Sequence, residues 1–98
     1  KEKIFNYLLE KVKTFSPKRK TQQGTLRWIV KLAEYMLENE TVKSEDIKAH
    51  FGITRNTQWR YLQYIRPLGY FKYSFKDRIP VFTITQLGIE AKEEIKRL

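Results

Sequence analysis

Two helical segments separated by a glycine, and followed directly by a β-rich hairpin, constrain the fold of this chain more than any other feature. The helical segments are residues 44–51 and 54–66, with Gly52 between them, and the hairpin is formed by residues 70–75 and 79–84. Gly52 ends the first helix, because glycine readily adopts the left-handed conformation found there. The charged turn Lys76-Asp77-Arg78 separates two stretches of aromatic and β-branched residues. Residues 43–84 are therefore predicted to form one unit of helix, tight turn, helix and hairpin.

This order of elements resembles the winged-helix family of DNA-binding regulators, and the resemblance covers somewhat under half of the chain. Ile47 and Phe51 stand where that family places apolar residues before the turn glycine, and Ile53 follows the glycine directly. The resemblance implies a winged helix-turn-helix fold, mainly α with a small β-hairpin, in the order α-α-α-α-β-β-α. In size and in Lys, Ile and Tyr content the chain is also similar to small archaeal, plasmid and viral regulators.

Two positions depart from the family pattern. Lys48 stands where a small alanine is expected, and Gln58 stands where a buried Val or Ile is expected. Two arrangements accommodate Gln58. Either its side chain lies at the edge of the core, or the helix is rotated so that Trp59 packs inward and Gln58 faces DNA.

At 98 residues the chain has room for one domain with a modest core. Residues 1–25 are predicted to form an N-terminal amphipathic helix and a basic arm. Residues 26–84 hold the helix-turn-helix and the wing, and residues 85–98 form a C-terminal helix. Ser44, Thr54 and Thr85 are predicted helix caps, because their hydroxyls can accept backbone N–H groups of the first turn. Only two strands are predicted.

The second helix of the motif carries the side chains suited to reading bases. Arg pairs bidentately with guanine, Asn or Gln pairs with adenine, and Thr suits phosphate oxygens. The predicted recognition residues are Thr54, Arg55, Asn56, Thr57, Gln58, Trp59, Arg60 and Gln63. A solvated helix face has a similar composition, so the apolar residues around Gly52 favour the DNA-reading interpretation.

The resemblance also implies contacts from the wing. The wing residues it indicates are Lys72, Tyr73, Lys76 and Arg78. Further basic or polar residues are predicted to contact the DNA backbone: Lys18, Arg19, Lys20, Lys43 and Ser44. The alternatives are an ordinary charged β-turn for the wing tip and a solvated linker for residues 18–20. The aromatic residues among the basic ones suit a stacking platform for single strands, or the packing of the hairpin on its helices.

The net charge of +9 favours a polyanionic partner, because phosphates release counterions when a basic surface neutralises them. The basic residues are unevenly distributed. Residues 53–81 contain six basic side chains and one acidic one, whereas residues 32–52 contain two basic and five acidic ones. This asymmetry is typical of a protein that turns one face toward DNA. The partner indicated is double-stranded DNA.

A lone recognition helix contacts few base pairs, so a homodimer that reads two half-sites is predicted. The apolar stripes of the first and last helices are the candidate dimer interface: Ile4, Phe5, Leu8, Leu9, Val12, Phe15, Ala91, Ile95 and Leu98. The alternative is that both helices simply close the core of one subunit.

Several function classes lack support in the sequence. The chain has no cysteine and only one histidine, His50, so neither a metal site nor thiol chemistry is predicted. No nucleophile–base set or phosphate-binding glycine loop is present, and no enzyme activity, cofactor or small-molecule ligand is expected. No apolar run reaches the length of a membrane span. A cytoplasmic, DNA-associated location is expected, and a chain without an initial Met is compatible with a fragment.

The sequence thus predicts sequence-specific binding of double-stranded DNA by a homodimer, either as a transcriptional regulator or as a partition-site (centromere) binding protein. Two alternatives remain open. A winged helix can serve as a protein–protein interaction module, and a basic aromatic surface can bind RNA or single-stranded nucleic acid.

Overall fold

The computed structural model describes residues 2–16 and 23–98. The elements in this part of the chain are α1 Glu2–Phe15, α2 Gln23–Asn39, β1 Thr41–Lys43, α3 Ser44–Phe51, α4 Arg55–Ile65, a 3-10 turn Arg66–Leu68, β2 Phe71–Lys76, β3 Ile79–Ile84 and α5 Gln86–Lys96. The predicted order of helices and hairpin strands is confirmed, and one further strand, β1, is added to it.

The added strand joins the helix-turn-helix to the hairpin. The sheet is antiparallel with the order β1-β3-β2, and Val42 of β1 pairs with Phe82 of β3. β1 has only three residues, too few to show an alternating pattern in the sequence. It forms because β3 offers it a partner, so tertiary context decides its conformation. Ser44 follows β1 directly, and the sheet therefore fixes where α3 begins.

The turn between α3 and α4 has the predicted form. Gly52 adopts a left-handed conformation with φ of 62°, and its N–H donates to the carbonyl of Lys48 at 2.9 Å. The Thr54 hydroxyl accepts the N–H of Thr57 at 3.1 Å, which confirms Thr54 as the cap of α4. The left-handed glycine ends α3 sharply, so α4 can begin after a link of only three residues.

The predicted cap of α3 was one residue out of place. Lys43 is the N-cap residue, and its backbone N–H donates to the carboxylate of Asp46 at 3.2 Å. Ser44 is instead the first helical residue, and its side chain is buried. The acidic residues of the first turn still stabilise the helix, because its N-terminus carries partial positive charge.

One core connects all five helices and the sheet. Its buried members are Leu8, Val12, Ile29, Val30, Leu32, Ala33, Met36, Leu37, Val42, Ile47, Leu62, Ile65, Leu68, Tyr70, Phe82 and Ala91. Six residues of α2 are buried, from Ile29 to Leu37, since α1 packs on one side of it and α4 on another. This arrangement explains why the apolar residues of α2 occupy most of its circumference.

The predicted dimer interface is corrected at three positions. Leu8, Val12 and Ala91 are 0%, 1% and 4% exposed, so they belong to the core of one subunit and offer no surface to a second. The other predicted residues remain partly accessible. Ile4, Phe5, Leu9 and Ile95 are intermediate, and Phe15 and Leu98 are each 50% exposed. For these three residues the alternative interpretation, that both helices close the core of one subunit, is therefore the correct one.

Polar contacts hold the terminal helices in place. The Tyr7 hydroxyl of α1 donates to the carboxylate of Glu94 in α5. Partial burial is the largest cause, and this hydrogen bond the second largest, of a pKa of Tyr7 above its ordinary value. The Ser16 hydroxyl donates to the carbonyl of Tyr64 at 2.7 Å, which ties the end of α1 to α4. Lys92 of α5 pairs with Glu40 at 2.8 Å, just before β1.

Candidate nucleic-acid interface

The outer face of α4 is polar and positively charged. Five predicted recognition residues are exposed on it: Arg55, Asn56, Trp59, Arg60 and Gln63. A helix advances about 100° per residue, so these five positions fall on one side of α4. Thr54 is also exposed and Thr57 is half-buried, and their hydroxyls are hydrogen-bonded to each other at 3.1 Å. α4 contains no acidic residue, so its face has no charge that would repel a phosphate.

Gln58 is not part of this face, and the prediction that it contacts bases was wrong. It is 3% exposed. Its Oε1 accepts the hydroxyl of Ser44 at 2.7 Å, and its Nε2 donates to the carbonyl of Ser44 at 3.1 Å. The two side chains join α4 to the start of α3, and hydrogen bonding offsets the cost of burying both. Ser44, which is 7% exposed, is likewise removed from the predicted backbone contacts.

The choice left open by the sequence is thereby decided. Gln58 lies inside and Trp59 lies outside, with 44% of its surface exposed. The residues that follow Gln58 on the inner side of α4 are Leu62 and Ile65, both buried. Their spacing of four and three residues keeps them on the face of Gln58, so the apolar residues fix the rotation of the helix.

Arg66, which the sequence reasoning missed, connects α4 to the wing. Its guanidinium lies 5.2 Å from the ring centre of Trp59 and 5.4 Å from that of Tyr73. The rings of Trp59 and Tyr73 are themselves 6.1 Å apart. Cation–π contacts of this kind contribute about 0.5–1 kcal/mol at exposed sites. A signal was present in the sequence, since Arg66 follows Trp59 by seven residues, or two helical turns.

The wing tip is a tight two-residue turn. Lys76 pairs with Ile79, and the residues between them, Asp77 and Arg78, have φ of 52° and 69°. Positive φ at both central positions matches the right-handed twist of the two strands. Lys76 and Arg78 are exposed at this tip. The two predicted basic residues of the wing tip thus stand at the exposed end of the hairpin.

Two further predicted residues lie near this surface, and three lie outside the described residues. Lys72 is exposed on β2, one residue before Tyr73 and so on the opposite face of the strand. Lys43 is exposed beside the start of α3. Residues 18–20, the predicted basic arm, lie outside the residues that the structure describes.

Within residues 2–16 and 23–98, other kinds of site find no support. No group of three or more His, Cys, Asp or Glu side chains there is placed to hold a metal ion. No helix in the same ranges has the length and hydropathy needed to cross a membrane. His50 stacks on Tyr35 with ring centres 4.3 Å apart, in a cluster with Phe51. It is thus accounted for as a packing residue.

No protein-family model matches this sequence, and no curated protein matches it either. Solved structures do match by shape. Overoxidized AbfR bound to DNA superposes with a TM-score of 0.62 at 16% identity, covering 98% of this chain and 67% of that one. Reduced AbfR bound to DNA gives a TM-score of 0.62 at 16% identity, with 98% and 66% covered. This chain therefore spans about two thirds of the length of AbfR.

A second kind of regulator has a similar shape. An ArsR family transcriptional regulator superposes with a TM-score of 0.50 at 12% identity, covering 94% of this chain and 86% of that one. Identities this low show the fold alone. Together with the strand order and the helix-turn-helix, they confirm the predicted fold class, a winged helix that is mainly α with a small antiparallel sheet.

Proposed function

We propose that this chain binds double-stranded DNA and regulates transcription, with α4 in the major groove and the β2–β3 hairpin beside it. The observation that carries the proposal is the outer face of α4, where Arg55, Asn56, Arg60 and Gln63 are exposed together on a helix that contains no acidic residue. A helix fits the major groove, and these are the side chains that pair with base edges there. Two structures of similar shape were solved bound to DNA, which supports the same partner here.

The proposal includes homodimerisation through the outer sides of α1 and α5. Phe15 and Leu98 are half exposed, and Ile4, Phe5 and Leu9 are only partly covered. Such residues gain when a second subunit removes them from water. A two-fold dimer places two copies of α4 about 34 Å apart, one helical turn of DNA. The role of a partition-site protein uses the same contacts, and transcription is preferred because an ArsR family transcriptional regulator shares the fold.

The proposal is tested by titrating the protein into a randomised pool of duplexes about three helical turns long, at two salt concentrations, and sequencing what stays bound. The expected result is a palindromic motif with half-sites about one helical turn apart, and affinity that falls steeply with salt. Salt-sensitive binding without a motif would contradict sequence-specific regulation and would indicate a protein that coats DNA irrespective of its sequence. Absence of binding at low salt would favour the protein-interaction module, and a preference for single strands would favour the RNA or single-strand alternative.

Arg55→Ala is expected to cost about 1–3 kcal/mol on the selected duplex and much less on a random one, because a lost bidentate base contact affects only the matching site. The matched variant is Arg78→Gly, which removes a charge at the wing tip and suits the positive φ of that position. It should weaken binding to both duplexes alike. The slope of the logarithm of the binding constant against the logarithm of the salt concentration (the salt slope) should become smaller in magnitude by about one. Binding titrations on both duplexes measure this. Equal losses for Arg55→Ala on both would contradict its assignment as a base reader.

A further inference from the structure

A row of aromatic rings runs from the recognition helix toward the tip of the wing. Trp59 lies 6.1 Å from Tyr73, and Tyr73 lies 5.3 Å from Phe75, measured between ring centres. The last ring of the row is the most open, because Phe75 is 64% exposed. A phenylalanine this exposed leaves apolar surface in water, at a position one residue before the charged turn.

These rings line a groove of about 330 Å³ between α4 and the hairpin. Arg55 and Asn56 lie on its helix side, and Phe75 and Pro80 lie on its wing side. Lys76 and Arg78 stand just beyond Phe75. The apolar surface is therefore bordered by positive charge at both ends, which suits a nucleic acid and opposes another copy of this basic surface.

Phe75 is held in a fixed position despite its exposure. It pairs with Pro80 across the strands, so the two apolar side chains lie side by side on one face of the hairpin. The neighbouring ring of Tyr73 packs against Phe82 at 5.1 Å and is covered by Arg66 at 5.4 Å. Residues two apart on a strand are separated by roughly 7 Å, so Phe75 projects that far beyond Tyr73 toward the tip.

We propose that Phe75, with Pro80 beside it, is an apolar wedge that enters a base step from the minor groove of duplex DNA. Phe and Pro are among the side chains that proteins insert between base pairs in this way, and the insertion bends the duplex toward the major groove. Lys76 and Arg78 contact phosphates next to the opened step. The inference rests on the proposed function, since it needs a duplex held by α4. Pyrimidine–purine steps are the favoured targets because they unstack most easily.

A stacking platform for single strands fits the row less well. Such platforms need several rings with open faces on which successive bases stack. Here Arg66 lies over both Trp59 and Tyr73, and Tyr73 is further packed against Phe82. Phe75 is the most exposed ring of the row and has no cation over it in the described contacts, which suits insertion at one step.

The test uses a duplex about three helical turns long with TA steps spaced along it, each step in turn carrying 2-aminopurine in place of adenine. The wild-type protein is expected to raise the fluorescence at particular steps, because an unstacked 2-aminopurine is brighter. Phe75→Ala should abolish the rise and lower the affinity about tenfold, as expected for the loss of one buried phenyl ring. Phe75→Leu, which keeps an apolar wedge, should retain most of both.

Two control variants separate the wedge from charge and from folding. Lys76→Ala should lower the salt slope by about one and leave the fluorescence rise in place. Trp28→Phe trims another exposed aromatic side chain, on α2, and should leave affinity and fluorescence unchanged. The wedge is overturned if the wild type binds duplex and Phe75→Ala matches it in both readouts, or if single strands bind more tightly than duplex. A wild type that binds no duplex would overturn the proposed function as well, which distinguishes the two failures.

Discussion

Leu8→Ala is expected to lower the free energy of unfolding by about 2–5 kcal/mol, which would be a large share of the stability of a domain of this size. Leu8 is 0% exposed, and it belongs to the same cluster as Ile29 and Leu62. Removing its methyl groups loses their transfer free energy and leaves a cavity, because α1 is tied through Tyr7 and Ser16 and cannot collapse onto it. Denaturant unfolding at a fixed protein concentration measures the loss.

The comparison variant is Phe15→Ala, on the same helix but half exposed. It should cost about 1 kcal/mol or less, since most of its ring is already in water. Its effect is expected on association instead, as a shift toward monomer in sedimentation. If Leu8→Ala left stability intact and abolished dimerisation, Leu8 would belong to a subunit interface, and the placement of α1 over α2 would be wrong.

The parts of the fold that follow from local chemistry were predictable. Gly52 ends α3 in the left-handed conformation, and Thr54 and Thr85 cap the helices that follow them. Each of these outcomes depends on a residue and on neighbours within four positions, which the sequence shows directly. The same reasoning gave the hairpin, since its charged two-residue turn stands between two runs of strand-forming residues.

The parts that depend on distant neighbours were not predictable. The amide of Gln58 is a group that can read bases, so the sequence alone suggested that role. Its burial depends on Ser44, fourteen residues earlier, whose hydroxyl donates to it. β1 forms because β3 is adjacent to it. Leu8 and Phe15 belong to one apolar stripe in the sequence, although one is buried and the other half exposed. Helical periodicity shows which face is apolar, but the width of the covering element decides which residues are buried.

The sequence indicated which residues of α4 are exposed better than it indicated which residues of the wing are exposed. Arg55, Asn56 and Arg60 are exposed together as α4 periodicity requires. The DNA contacts predicted for the wing were mainly its charged residues, and Phe75 was not among them. Phe75 departs from that expectation because β2 is the edge strand, and a ring near its tip has a partner on one side only.

Gly88→Ala is expected to destabilise the domain by roughly 3 kcal/mol or more, near or beyond the upper end for added volume in a packed core. A Cβ at this position would lie 2.5 Å from the backbone oxygen of Tyr70 and 2.6 Å from a side-chain carbon of Ile84. Backbone cannot rotate away as a side chain does, so α5 would have to move off the sheet. The Gly88 N–H also donates to the Thr85 hydroxyl at 3.2 Å, and that shift would weaken the cap of α5.

The matched variant is Gly24→Ala in α2, where an added Cβ meets nothing within 4 Å. It should be neutral or stabilising by up to about 1 kcal/mol, because alanine is the better helix former and its unfolded chain has less freedom. Thermal unfolding of both variants measures the contrast. Similar melting temperatures for the two would mean that α5 packs less closely on Tyr70 than the structure has it. Since Tyr70 directly precedes β2, loosening α5 should also weaken duplex binding through the wing, with Arg55 and its neighbours on α4 unchanged.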